Sequence, residues 1–159
     1  MLPRCPLAAP ALAAVLFASP GVSAAGESAL TLSRGSKTIE LTLEELAALP
    51  QVTLVTENEF TDRRVAYRGP LMRDVLAQFG LDHAEAVRLI AANDYFVDIP
   101  TGDFRTYDAI LAMQADGKPL SRRDKGPLWL MYPISDHAEL NDPVYFRRLI
   151  WQVVRIESP

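Results

Sequence analysis

Two apolar segments in the second half of the chain, residues 87–92 and 95–99, are separated only by Asn93 and Asp94. Both of these polar residues tolerate the left-handed backbone that a tight hairpin turn requires. The pattern therefore predicts two neighbouring strands joined by a short turn.

Two further apolar runs follow at residues 109–115 and 127–132. The first ends at Asp116-Gly117 and the second at Pro133, and short apolar runs with such boundaries are typical of buried strands. The loops between the strands are polar and mostly basic, and loops beside a rigid sheet are where binding residues tend to lie. Their polar residues are Asp103, Arg105, Tyr107, Lys118, Arg122, Arg123, Asp124 and Lys125.

The first part of the chain predicts short strands that alternate with short helices. Residues 29–41 alternate in polarity around a Ser-Arg-Gly-Ser turn, which indicates an opening hairpin. Thr42 and Glu45 have the spacing of a capping box at the start of a short helix, which Pro50 ends. Residues 51–56 then predict a strand, with Val52, Leu54 and Val55 toward the core.

A helix with a clear apolar stripe is predicted after a polar, turn-like segment at residues 57–68. Gly69-Pro70 is expected to begin this helix, because proline at the first helical position loses no hydrogen bond. Gly80 supplies its C-terminal stop. The stripe consists of Leu71, Met72, Val75, Leu76 and Phe79.

Two more elements are predicted near the C-terminal end. Asn141-Asp142-Pro143 is expected to cap a short helical turn that runs to Arg148, and residues 149–157 predict a closing strand. Together with the elements above, this pattern predicts fold class α+β, a single domain with a mixed β-sheet and short helices.

Residues 1–24 predict a cleaved signal peptide, which leaves a domain at residues 25–159. Arg4 gives a short positive start, residues 6–18 are apolar, and Val22-Ser23-Ala24 matches the small-residue cleavage pattern. The apolar stretch is shorter than the ~20 residues of a transmembrane helix. We therefore expect an exported, periplasmic protein, with an uncleaved anchor as the alternative.

The composition narrows the class of protein further. A chain of 159 residues that is 49% hydrophobic suits one domain with a proper core. Cys5 is the only cysteine and lies in the predicted signal peptide, so the mature chain is expected to have no thiol for a disulfide, a metal or a nucleophile. The net charge of −4 argues against a nucleic-acid partner, which usually demands a strong basic excess.

Four motifs resemble, in order, those of the oxidoreductase molybdopterin-binding domain, the catalytic domain of sulfite oxidase and its bacterial relatives. Residues 67–71, YRGPL, are similar to the family's WxGvpL, and residues 94–100, DYFVDIP, follow in the expected place. Residues 116–120, DGKPL, resemble its nGkpL turn, and residues 126–133, GPLWLMYP, resemble its GxPlrlvvP strand. The resemblance covers roughly residues 30–157 and implies a sulfite oxidase molybdopterin-binding-domain-like fold.

The resemblance also implies a place for the metal. Enzymes of this family hold molybdenum through a cysteine thiolate between the first core strand and the WxGvpL element, but the corresponding residues 55–66 contain no cysteine. Thr56 and Glu57 offer only hard oxygen donors, which are weak substitutes for a soft thiolate. We therefore expect no cofactor, with molybdopterin as the alternative that the resemblance implies.

Three functions are consistent with this reading. The first is a metal-free binding or sensory and accessory module for a small anionic or pterin-like ligand, or for a membrane-bound sensor or redox subunit. The second is a pterin-molybdenum oxidoreductase with an atypical ligand sphere, so enzyme status stays open. The third is a structural partner protein whose exposed face is the loop at residues 136–142.

The resemblance implies that two basic loops, one before the long helix and one before the last core strand, meet in one region. Guanidinium groups suit phosphate or carboxylate through paired hydrogen bonds. The alternative is solvated surface charges paired with Asp62, Asp124 and their neighbours. The expected ligand-binding residues are Glu57, Asn58, Arg63, Arg64, Arg68, Tyr95, Arg105, Lys118, Arg122, Arg123 and Lys125, with no metal ligand among them.

Two other groups of residues invite a functional reading. Tyr95, Phe104, Tyr107 and Tyr132 are either aromatic walls of a pterin-like site or core residues, and strand aromatics are more often core. Asp136, His137, Glu139 and Asp142 form an acidic cluster whose spacing matches no zinc or calcium loop, which favours a solvated loop.

Overall fold

The computed structural model describes residues 26–158, so the predicted signal peptide and Cys5 lie outside the described residues. The chain opens with strands β1 (Ser28–Arg34) and β2 (Lys37–Thr42), which pair antiparallel and confirm the predicted hairpin. Helix α1 (Leu43–Ala48) follows, and its first turn contains the predicted capping box. The Thr42 hydroxyl accepts from the Glu45 N–H, and the Glu45 carboxylate accepts from the Thr42 N–H at 2.8 Å.

A five-stranded mixed sheet forms one side of the domain, in the order β2, β1, β11 (Val153–Glu157), β5 (Ala86–Ala91) and β6 (Phe96–Pro100). Strands β5 and β6 form the second predicted hairpin, and Asp94 in its turn has a φ of 64°. Strand β11 runs parallel to β1 and antiparallel to β5. The last strand, β11, is therefore the middle strand of the sheet. Its pairing with β1 joins the C-terminal part of the domain to the N-terminal part.

Two smaller sheets complete the domain. Strands β3 (Gln51–Thr56) and β4 (Val65–Pro70) pair antiparallel, and β4 continues to the short strands β8 (Gln114–Ala115) and β9 (Lys118–Pro119). Strands β7 (Ile110–Ala112) and β10 (Trp129–Met131) form a separate antiparallel pair. The four predicted core strands therefore form two separate pairs, because β5–β6 and β7–β10 belong to different sheets.

The start of the long helix differs from the prediction. Residues 65–70 are strand β4, and helix α2 (Met72–Ala77) begins only after Leu71, so Pro70 ends a strand instead of beginning a helix. Val65 and Tyr67 alternate inward, which the many charges around them conceal in the sequence. A Cβ on Gly69 would lie 2.0 Å from the Leu111 carbonyl oxygen, so this glycine serves close packing between strands.

Three smaller differences concern the bounds and directions of elements. Val55 is 48% exposed, because alternation along β3 sends Leu54 and Thr56 inward and Val55 outward. Helix α3 (Thr101–Thr106) was not predicted, since the segment between its flanking strands reads as a polar loop. The closing strand begins at Val153 and not at residue 149.

Helix α4 (Pro143–Arg148) has the predicted cap, in which the Asp142 carboxylate accepts from the Val144 N–H at 2.8 Å. A core of buried apolar side chains joins the sheets to the helices and includes Leu30, Leu32, Leu89, Val153 and Ile156. Within residues 26–158, none of the helices has the length and apolar character needed to cross a membrane. The observed fold is the predicted one, a single α+β domain with mixed sheets.

Candidate functional site

The loop at residues 57–64, between β3 and β4, is the centre of the candidate site. Asn58 anchors it: the side chain is 7% exposed, its Oδ1 accepts from the Phe60 N–H at 2.9 Å, and its Nδ2 donates to the Tyr67 hydroxyl at 3.3 Å. Burial is the main reason that the pKa of Tyr67 is raised. The loop is thus held to the sheet by a buried amide.

A second anchor joins the end of β3 to the loop after β10. Thr56 is fully buried, and its Oγ1 accepts from the Ser135 N–H at 3.0 Å. The two hydroxyl oxygens are 3.2 Å apart, and the Glu57 N–H donates to Ser135 Oγ at 3.0 Å. These bonds use the Thr56 hydroxyl to hold two chain segments together.

One side of the loop borders a cavity of about 650 Å³, called here the polar cavity. Its charged lining residues are mostly acidic, since Glu57, Glu59 and Asp136 face a single cation, Arg64. Such a lining offers acceptors for N–H groups more than donors for an anion. Three of the predicted site residues, Glu57, Asn58 and Arg64, lie here.

The other side borders a cavity of about 310 Å³, called here the basic cavity. Arg63 from the first predicted loop lies here with Arg123 and Lys125 from the second, so these loops do meet. Arg63 donates to Asp116 at 2.6 Å, and this hydrogen bond is the main cause of the lowered pKa of Asp116. Asp124, the other acid of the lining, accepts a hydrogen bond from Ser121 at 2.6 Å.

Lys125 connects the basic cavity to a cluster of aromatic rings. Its backbone is left-handed, with a φ of 69°, and its Nζ lies 5.3 Å from the Phe60 ring centroid, 5.2 Å from that of Trp129 and 5.6 Å from that of Trp151. A cation this close to several rings is attracted by their π electrons. The loop that carries Arg123 is therefore tied to the loop that carries Phe60.

The other predicted site residues lie elsewhere. Arg68 and Lys118 are exposed on β4 and β9, and Arg122 pairs with Glu27 at 3.5 Å. Arg105 donates to the Asp82 carbonyl at 3.1 Å on another face. Tyr95 lines a different pocket, beside the loop at residues 57–64. The structure thus does not gather all eleven residues into one groove, and a ligand role for each of them stays a prediction.

Two of the predicted aromatic residues belong to the core: Phe104 is 1% exposed and Tyr132 is fully buried. Burial is the main reason that the pKa of Tyr132 lies well above its usual value. The Tyr132 hydroxyl donates to Asp103 at 3.2 Å, and Arg148 pairs with the same carboxylate. A hydrogen bond to Tyr145 is the main cause that raises the pKa of Tyr107 to about 12.

The acidic loop has the arrangement of ordinary surface contacts. His137 Nδ1 lies 3.5 Å from Glu139 Oε1, and Asp142 is occupied as the cap of α4. Across the part of the chain that the structure describes, no group of three or more His, Cys, Asp or Glu side chains could hold a metal ion.

The sequence alone did not indicate Ser135, Tyr67 or Trp129 as members of the site. Ser135 follows Pro133 in a short loop and carries no motif, and the two aromatic residues look like ordinary strand residues. Their roles depend on pairings between distant segments, such as Thr56 with Ser135, which no local pattern signals.

A solved structure supports the fold assignment. The chain is similar to the crystal structure of the sulfane dehydrogenase SoxCD from Paracoccus pantotrophus, with a TM-score of 0.59 and 18% sequence identity. The match covers 80% of this chain and 37% of that chain, so the domain spans well under half of that protein. No curated protein matches the chain.

The sequence itself carries the family assignment. Residues 27–135 match the family described as the oxidoreductase molybdopterin binding domain. This stretch contains all four motifs and the whole lining of the basic cavity, whereas part of the polar cavity's lining, from Asp136 onward, lies beyond it. Because the match extends over more than half of the chain, this protein belongs to the oxidoreductase molybdopterin-binding domain family.

Proposed function

We propose that this protein is a binding module of the molybdopterin-binding domain family that works without molybdenum and holds a small anionic or pterin-like ligand in the basic cavity. The observation that carries the proposal is the meeting of Arg63, Arg123 and Lys125 at one cavity beside the loop at residues 57–64. The family resemblance supports a pterin-like ligand, and the position of these three cations supports the basic cavity as the proposed site.

The donor set at the expected metal position does not fit the family's metal. Thr56 stands in the interval where the resemblance implies a thiolate, and residues 26–158 contain no cysteine. A hydroxyl is a hard donor, whereas thiolate is the soft ligand used by the family. The Thr56 hydroxyl is also buried and engaged with Ser135, so it is a structural group in this fold.

The charges of the basic cavity favour an anion. Three basic side chains and two acidic ones line it, and Arg63 is paired with Asp116. Among the described residues, no carboxylate forms an ion pair with Arg123 or Lys125. A guanidinium with free donors can bind carboxylate or phosphate through two parallel hydrogen bonds.

One exposed aromatic ring beside these charges suits a flat heterocycle. Phe60 is 37% exposed, and its ring centroid lies 5.3 Å from Lys125 Nζ. Tyr67 and Trp129 also line the basic cavity, but they are only 1% and 3% exposed and belong to the core. A planar ligand with an acidic group can contact an aromatic surface and a cation at the same time. The proposal therefore includes pterin-like molecules as well as simple anions.

Export and partnership are further parts of the proposal. The sequence of residues 1–24 supports a cleaved signal peptide, which would place the mature domain in the periplasm. There it would deliver its ligand, or report it, to a membrane-bound sensor or redox subunit.

Calorimetric titration tests the ligand site directly. Carboxypterin, an anionic pterin, and inorganic sulfate are titrated into the unmodified protein and into the Arg123→Ala variant. We expect Arg123→Ala to weaken binding about tenfold, because loss of one charge-assisted hydrogen bond corresponds to ~1.5 kcal/mol.

The matched control is Arg122→Ala, because Arg122 belongs to the same short turn but pairs with Glu27 and lies outside the basic cavity. It should bind carboxypterin within about twofold of the unmodified protein, as expected for a rim charge in water. Absence of saturable binding of either probe, or equal losses in both variants, would contradict the proposal.

The family assignment itself favours the second candidate function, a pterin-molybdenum oxidoreductase with an atypical ligand sphere. Stoichiometric molybdenum in the isolated protein would support that function, and metal-free protein that binds an anionic pterin would support the first.

A further inference from the structure

A third cavity, separate from the polar and basic cavities, lies where the loop at residues 57–64 approaches the end of the β5–β6 hairpin and helix α4. It has a volume of about 270 Å³ and is called here the aromatic pocket. Four aromatic side chains line it, together with the polar residues Glu59, Asn93 and Arg147. The aromatic residues are Phe60, Tyr95, Phe146 and Trp151.

The walls of the aromatic pocket are held in place by hydrogen bonds between residues of its lining. The Tyr95 hydroxyl donates to the Arg147 carbonyl at 3.2 Å, and the Tyr95 N–H donates to Asn93 Oδ1 at 3.2 Å. Phe60 and Trp151 meet edge to face, with ring centroids 5.2 Å apart and an interplanar angle of 82°. The pocket is therefore preformed, which lowers the entropic cost of binding.

Three of these rings keep a substantial exposed fraction despite their contacts within the protein. Tyr95 is 46% exposed, Phe60 37% and Trp151 36%. Concave groups of exposed aromatic side chains with a few polar groups beside them are typical of sites for small ligands. The volume suits a planar molecule of one or two rings.

The charges around the rings decide the class of ligand. Arg147 lines the pocket, and among the described residues no carboxylate pairs with it. Glu59 is the acidic residue of the lining, and the Lys125 ammonium lies against two of the same rings but does not line the pocket. Arg147 is therefore the cation of the lining, and its guanidinium can form charge-assisted hydrogen bonds with an acidic ligand.

We propose that the aromatic pocket binds a planar aromatic ligand with one acidic group, its rings packed against Tyr95, Phe60 and Trp151 and its acidic group paired with Arg147. This inference does not depend on the proposed function, because none of the three cations of the basic cavity, Arg63, Arg123 and Lys125, lines the aromatic pocket.

Calorimetric titration with naphthoate, and with its neutral analogue naphthamide, tests the inference on the whole protein. The unmodified protein should bind naphthoate in a saturable way and at least about fivefold more tightly than naphthamide, as one charge-assisted contact implies. Tyr95→Ala should weaken naphthoate binding about fivefold through loss of an aromatic wall. Arg147→Gln should abolish the preference for the acid, while binding of the amide stays unchanged.

Phe96→Ala is the matched control, because Phe96 is the next residue along the chain and 54% exposed but packs under Arg88 outside the pocket. It should leave naphthoate binding unchanged, and thermal unfolding of each variant checks that the fold is intact. Should Tyr95→Ala unfold, Arg147→Gln alone still decides the point, since Arg147 is exposed.

Any of three results would overturn the inference. These are no saturable binding of naphthoate, an equal affinity for naphthamide, or equal losses of naphthoate affinity in Tyr95→Ala and Phe96→Ala. Arg123→Ala separates the two proposals, because it should weaken carboxypterin and leave naphthoate unaffected. Loss of carboxypterin binding in Tyr95→Ala, with none in Arg123→Ala, would overturn the proposed function and leave the aromatic pocket as the ligand site.

Discussion

The hydroxyl oxygens of Thr56 and Ser135 lie 3.2 Å apart, and the Ser135 N–H donates to Thr56 at 3.0 Å. This contact joins the end of β3 to the loop that follows β10, across 79 residues of sequence. Thr56 lies in the interval where the family resemblance implies a metal-binding cysteine. In that interval the Thr56 side chain therefore joins two segments of the fold, whereas an enzyme of the family would bind its metal there through a cysteine.

Thr56→Val should lower the free energy of unfolding by about 1–2 kcal/mol, because valine keeps the shape and leaves the Ser135 N–H without its acceptor. Urea unfolding followed by circular dichroism measures the change. Thr53→Val is the control, since Thr53 is exposed on the same strand. An equal effect of the two substitutions would show that the hydroxyl contact has no special role.

The ion pair of Arg148 and Asp103 should be important for stability, because the two side chains are only 15% and 14% exposed. Arg148→Ala removes the cation and leaves the Asp103 carboxylate with Tyr132 as its remaining side-chain partner. We expect a loss of about 2–3 kcal/mol, somewhat below the cost of breaking a fully buried pair.

The double variant Asp103→Leu with Arg148→Met controls for that result, since it removes both charges and retains apolar volume. It should be more stable than Arg148→Ala in the same urea experiment. A double variant that is less stable than Arg148→Ala would mean that the pair itself, and not the unpaired carboxylate, accounts for the loss.

Lys125→Met should lower the free energy of unfolding by about 1 kcal/mol, because methionine keeps the length of the side chain and removes its attraction to the three rings. Lys118→Met, at an exposed position on β9, should stay within about 0.5 kcal/mol of the unmodified protein. Both are measured by urea unfolding. If the two variants lose the same stability, the aromatic contacts of Lys125 contribute nothing.

The sequence predicted those parts of the fold that depend on local chemistry. The turn at Asp94, the capping box of Thr42 and Glu45, and the Asp142 cap are each settled within a few residues, and all three are present. The mixed sheet followed from the family resemblance and the alternation of apolar residues.

The parts that the sequence did not predict depend on distant partners. Strand β4 reads as a charged loop until its pairing with β3 and β8 is known, and Gly69 reads as a helix start until Leu111 is seen against it. The meeting of Arg63 with Arg123 and Lys125 was predicted through the family resemblance alone. The partners that neutralise other cations, such as Glu27 beside Arg122, have no local signal.

Stability should fall in acid because several carboxylates are favoured in their charged form by the fold. Hydrogen bonds from Thr42 lower the pKa of Glu45, and hydrogen bonds from Arg88 and Arg63 lower the pKa of Asp98 and Asp116. A lowered folded-state pKa contributes stability that is fully present above the unfolded-state value of about 4 and is lost as the pH falls through the folded-state value.

Glu45→Gln isolates one of these contributions, because glutamine can still close a capping box but does not titrate. It should make the free energy of unfolding depend less on pH below about pH 4, as linkage requires. Glu44→Gln, one position earlier in the same helix, is the control and should retain the full dependence. Identical pH profiles for the two variants would contradict the assignment to the capping box.

The most direct test of the central claim is elemental analysis of the protein isolated from the cells that make it, with mass spectrometry of any small molecule released on denaturation. The account predicts no stoichiometric molybdenum, and an anionic or pterin-like molecule where a ligand survives purification. Stoichiometric molybdenum together with a pterin would contradict it, and would make this chain an oxidoreductase that holds its metal without a thiolate from residues 26–158.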